Sequence, residues 1–175
     1  MGAIRRGVDE VDILLTTAEI AVAFAGFASL ISVIARGSVL NPRLTTLQLR
    51  SALEVDLFVV AFSLIPIIPL SFGLASSSAW RLSSLLFVVA SQLVTFTMTR
   101  RWFRSADLSV ATSVKVTVGT LSLGADLLLL GNALGFFGSA AFPVYLTALF
   151  ANLGLAGFYF LLVVSSVFQS DSGAS

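Results

Sequence analysis

The chain has 175 residues and a formal net charge of +1, with 11% charged and 57% hydrophobic residues and a mean hydropathy of +1.01. A soluble domain carries charge at roughly a quarter of its positions, and a core of this size could not hide so large an apolar fraction from water, so lipid must cover the remainder. Cysteine and histidine are both absent, which excludes disulfides, thiolate or imidazole metal sites and every catalytic arrangement built on either side chain. The ten basic residues fall at segment ends and form no stripe, so nucleic acid is not an expected partner.

The expected fold is all-α, a single polytopic bundle of about five membrane-spanning helices at 13–168, between a tail at 1–12 and a tail at 169–175. A span needs about 20 mostly apolar residues at ~1.5 Å each. The first, at 13–35, is interrupted only by Glu19 and ends at Arg36-Gly37. Arg5 and Arg6 ahead of it imitate a secretory signal, but Asp9, Glu10, Asp12 and Glu19 put acid where a signal wants hydrocarbon. A retained span is the expectation.

Asn41-Pro42 reads as an N-cap followed by proline at the first helical position, so the second helix starts in the interface. Its span, 53–74, contains Pro66 and Pro69, which remove backbone donors and predict a bend or break. The third span, 80–99, carries Trp80 at one end and Arg100, Arg101 and Trp102 at the other, residue types that anchor in the membrane interface. Arg50 and Glu54, four apart on the second helix, are expected to pair at the same surface.

The fourth span, 114–137, has Asp126 near its middle, and the fifth, 144–168, follows a short turn, so the two form a hairpin. Gly124, Gly131 and Gly135 share one face of the fourth helix, and Gly131-x-x-x-Gly135 matches a motif for close helix packing. On the fifth, Tyr145, Ala148, Asn152, Ala156 and Tyr159 share a face of the kind that meets another helix. On the first, Ala18, Ala21, Ala25 and Ala28 form a small-residue stripe, with Glu19 at its border.

Ionisable groups inside a span cost at least a few kcal/mol near the centre, which makes each a functional candidate. Glu19, Gln92, Asp126, Asn132 and Asn152, with the Pro66/Pro69 break, would converge between the midplane and the outer surface and could handle protons, cations or a small polar solute. The competing reading makes them hydrogen-bonding glue in a structural or accessory subunit that docks a partner protein or a second copy. Enzymatic readings find little support. An intramembrane aspartyl protease needs Gly-x-Gly-Asp and a second central aspartate, whereas the run here is Ser122-Leu123-Gly124-Ala125-Asp126. A serine–lysine dyad would have to use Lys115, at the water interface. No cofactor or metal is expected.

The segment Ala18-Glu19-Ile20-Ala21-Val22-Ala23-Phe24-Ala25-Gly26-Phe27-Ala28, with Leu49 to Glu54 and Ser63 to Pro66, resembles a pattern in small uncharacterised bacterial polytopic membrane proteins. The resemblance covers the first two helices, implies a bacterial inner-membrane location and carries over no functional residues. It brings Glu19, Arg50, Glu54 and Pro66 to attention together. With five spans, Arg5, Arg6 and Arg81 collect on one side and the other seven basic residues on the opposite side. Basic loops face the cytoplasm, so the N-terminus is expected outside and the C-terminus inside.

Overall fold

A computed structural model describes residues 2–34, 42–104 and 112–171. All regular structure among these residues is helical: α1 (Gly2–Ile34), α2 (Pro42–Leu64), α3 (Ile67–Ser71), α4 (Ser76–Arg104), α5 (Thr112–Ala133), a single 3-10 turn (Gly138–Ala140) and α6 (Ala141–Asp171). Five stretches are long and apolar enough to cross a membrane: Asp9–Ile31, Thr46–Ser71, Ser76–Arg101, Val116–Ala133 and Gly138–Ser165. The chain is a multi-pass membrane protein with a five-helix bundle.

Several boundaries differ from the sequence reading. Residues 2–12, read as a tail, continue α1 without a break, because nothing between Gly2 and Asp12 stops a helix that the apolar run already nucleates. The fourth helix stops at Ala133, four residues short of the expected 137, where Gly135 adopts a φ of 86°. The amides of Gly135 and Phe136 turn back onto the carbonyls of Asn132 and Gly131, at 3.0 Å each, closing the helix with a Schellman cap.

The same cap ends α3, where Gly73 has a φ of 78° and the amides of Gly73 and Leu74 bond to the carbonyls of Leu70 and Pro69. Upstream, Pro66 separates α2 from α3. The chain passes the break through Ile65, whose amide still reaches the Ala61 carbonyl at 2.9 Å, and Ile68, whose amide reaches Ile65 at 3.2 Å.

α6 occupies the centre. It packs against α2 and α5 most extensively, and also against α1 and α4, while α1 pairs with α2 and α4 with α5. Its central place follows from its composition: Tyr145, Ala148, Ala156, Tyr159 and Val163 are all buried along one flank, and small residues among them let neighbouring backbones approach. Aromatic rings fill the space between α2, α4 and α6. Phe58, Phe62 and Phe87 meet at centroid distances of 4.5 to 4.9 Å, and Trp80 lies 5.1 Å from Phe142 and 5.6 Å from Tyr145.

Trp80 is therefore a core residue, only 2% exposed, and not the interfacial anchor expected of it. It shares a helical face with Ser83, Ser84 and Phe87, all buried, and that face is turned to the bundle.

Candidate functional site

The three carboxylates of interest sit ten residues from one end of their spans, Glu19 from Asp9, Asp56 from Thr46 and Asp126 from Val116. At ~1.5 Å per residue Glu19 and Asp126 lie about 15 Å from those ends, about half of a hydrocarbon core of ~30 Å, whereas Asp56 follows by two residues Glu54, which meets Arg101 at the last position of its span. Their surroundings differ completely.

Asp126 is 8% exposed and lies in the seam between α4 and α5. The Ser91 hydroxyl donates to its Oδ1 at 2.5 Å and the Gln92 amide donates to its Oδ2 at 2.6 Å. Six residues along α5, the Asn132 amide donates to Ser84 Oγ and to the Ala141 carbonyl, each at 2.9 Å, which ties α5 to both α4 and α6. Both stations follow from the antiparallel pairing: Asp126 and Asn132 advance along α5 as Ser91 and Ser84 retreat along α4. Ser84 and Ser91 were not singled out in the sequence, although their seven-residue spacing puts them on one face of α4.

Glu19 goes elsewhere. It is exposed on the outer side of α1, whereas Ala18, Ala21 and Ala28 are buried in the seam with α2. One residue is a step of 100°, enough to carry Glu19 out of the seam that its neighbour Ala18 enters. Asn152, half-buried on α6, donates to the Ala148 carbonyl of its own helix at 2.9 Å. The expected convergence is thus replaced by separate stations, with only Gln92 brought to Asp126.

The proline break has a side-chain partner that the sequence reading missed. In an unbroken helix the Phe62 carbonyl would accept from the amide of residue 66, but Pro66 has none. The Tyr145 hydroxyl donates to that carbonyl at 2.7 Å from α6. A tyrosine buried at mid-bundle needs a partner for its hydroxyl, and four residues before a proline is where a free acceptor stands.

The packing glycines also play other parts. Gly131 and Gly135 are the two ends of the α5 cap, and a β-carbon on Gly131 would stand 2.9 Å from the Phe137 ring of the same turn. Gly135 lies beneath the Arg81 guanidinium. Gly124 touches nothing from another helix and opens, with Gly119 and Thr120, onto a shallow groove on the outside of α5. Substituting Gly135 with alanine forces a side chain into left-handed backbone and against Arg81. We expect a loss of about 1–2 kcal/mol, read as a lower midpoint in a detergent unfolding titration, with Gly124→Ala unchanged.

At the end of the bundle where α2 begins, Glu54 accepts from Arg50 at 2.9 Å on its own helix and from Arg101 of α4. Arg100 lies over the Phe96 ring at 5.1 Å. The Trp102 side chain falls outside the described residues.

Asp56, on α2, is the third carboxylate. It is 2% exposed, and its Oδ1 has no hydrogen-bond partner. Ser63 and Gln48 of the same helix are likewise buried with an oxygen unpartnered. Among the described residues no three metal-ligating side chains cluster.

No family model, curated protein or solved structure matches this chain.

Proposed function

We propose that the chain is a non-enzymatic membrane protein that works as an assembly of its own copies, joined through the outward face of α1. One observation carries this reading: Glu19 stands exposed at the middle of a membrane span. A carboxyl there is costly against acyl chains and acceptable against protein. The face around it has the pattern of a helix–helix seam. Asp12, Thr16, Glu19, Ala23, Gly26 and Leu30 are spaced alternately by four and three residues, all exposed, with small residues on either side of the acid.

A second copy is the partner that matches this face in depth. Copies inserted in the same direction present Glu19 opposite Glu19 and Gly26 opposite Gly26, and two carboxyls hydrogen-bond when one of them carries a proton. With no native cysteine, Ala23→Cys or Gly26→Cys should yield disulfide-linked dimers in membranes, and Leu93→Cys on the exposed side of α4 should not. In the Gly26→Cys background, Glu19→Leu should weaken dimerisation about tenfold. Equal cross-linking at all three positions, or none at the two on α1, refutes the assignment.

A second reading, permeation of protons, cations or a small solute, is favoured by Glu19 and Asp126, each ten residues into its span. It stands behind the first because Asp126 has both oxygens occupied by Ser91 and Gln92, with Glu19 on another face of the bundle. Flux in proteoliposomes that vanishes in Asp126→Asn while the protein still assembles would reverse the order.

The proposed location is a bacterial inner membrane, supported by the sequence resemblance, with the N-terminus outside and the C-terminus cytoplasmic, supported by the seven basic residues on one side. A C-terminal reporter active only in the cytoplasm should be active here; activity only in the non-cytoplasmic compartment overturns this orientation.

A further inference from the structure

Asp56 is the buried carboxyl that neither reading uses, and its surroundings restrict what it can be. Two residues earlier, Glu54 faces α4, where it meets Arg101. Ala52 and Val55 pack against Leu155, Ala156 and Tyr159 of α6. Helix geometry turns Asp56 about 160° away from Glu54, close to the line of Ala52 and Ser63, on the side of α2 that meets α6 and α1. There α1 presents Thr17, Ala18 and Ala21, all buried, and the Thr17 hydroxyl is spent on the Ile13 carbonyl of its own helix.

The charged and titratable groups of the surrounding helices are directed elsewhere. On α1, Asp12 and Glu19 are exposed on the outer side; on α4, Arg101 is held by Glu54; on α6, Tyr145 donates to Phe62 and Tyr159 packs on Ala52 and Val55. Among the described residues Asp56 Oδ1 therefore has neither a donor nor a cation within reach. An ionised carboxylate in such a place would be an uncompensated charge in a low-dielectric seam.

We propose that Asp56 is a proton-binding site inside the helix bundle. The ligand is a proton taken from water, forming an O–H bond on the carboxylate, and the water left behind is hydroxide or, from hydronium, neutral. With the side chain 2% exposed, exchange with bulk water is slow. This assignment is independent of self-association through Glu19, which lies on the opposite side of α1.

Infrared spectroscopy of the full chain in lipid bilayers, with aspartate carboxyls labelled with carbon-13, tests it. At neutral pH the isotope-shifted carbonyl stretch of a protonated carboxyl should be present and slow to shift in deuterium oxide. It should persist in Asp126→Asn and disappear in Asp56→Asn. Should Asp56→Asn fail to assemble, Asp56→Glu supplies the same answer: the carboxyl remains but loses its label, so the band moves to the unlabelled position. Absence of the band from the parent protein, or its survival in either Asp56 variant, overturns the proposal.

Discussion

Replacing Tyr145 with phenylalanine should destabilise the bundle by about 1–3 kcal/mol, the usual consequence of leaving one buried acceptor unsatisfied. The ring stays in place among Trp80 and Phe87, so packing is preserved and the loss isolates a single hydroxyl. That hydroxyl supplies the Phe62 carbonyl with the donor that Pro66 cannot. A second substitution makes the argument specific. Pro66→Ala gives residue 66 an amide, and in helical geometry it points at Phe62. In that background Tyr145→Phe should lose less than half of its effect, because the carbonyl then has a backbone donor. A double-mutant cycle by reversible unfolding in mixed micelles measures the coupling. Strictly additive effects would show that tyrosine and proline do not act through the same carbonyl.

Asp126→Leu should have an effect of similar size, about 1–3 kcal/mol, since it removes the acceptor for two donors on α4 at once. Interhelical hydrogen bonds in membranes are individually modest, near 1 kcal/mol, so the sum of two is the relevant quantity. Part of the loss is recoverable: the Ser91 hydroxyl can return to the Val88 carbonyl, 3.0 Å away on its own helix. Asp126→Asn keeps one acceptor oxygen and should lose about half as much. A probe pair across α4 and α5 should report looser pairing in Asp126→Leu and little change in Asp126→Asn. Equal stability of both variants and the parent would mean that the seam is held by its apolar contacts alone.

The number of crossings and their connections were legible in the sequence because they depend on length, hydropathy and chain breakers. Pro66 interrupts the second crossing where its missing amide demands, and Pro42 opens α2 at a position its fixed φ suits. Orientation about each helix axis was less legible. In a soluble protein the polar face of a helix marks the outside, but here the outside is lipid, and apolar residues cover both faces. Stripes of small residues still revealed which positions travel together, as on α6, where Tyr145, Ala148, Ala156 and Tyr159 are all buried.

The exceptions have particular causes. Glu19 borders the α1 stripe, and whether a border residue turns inward depends on the rotation of α1 against α2, which no residue of α1 encodes by itself. Asp56 follows Glu54 by two residues, and helix geometry puts it on a different side of α2, which charge alone does not signal. Gly131 and Gly135 match a packing motif by spacing alone; two glycines four apart also serve a helix cap whenever the second adopts positive φ, and the short turn before α6 selects that use.

Five crossings place the two ends of the chain on opposite sides of the membrane, and the absence of native cysteine makes this directly measurable. In sealed vesicles of one orientation, Ala3→Cys and Ala174→Cys variants are treated with a membrane-impermeant maleimide before and after permeabilisation. Labelling of one end in intact vesicles, and of the other only after permeabilisation, is the predicted result. Two ends that label alike in intact vesicles would contradict an odd number of crossings, and with it the depths assigned to Glu19 and Asp126.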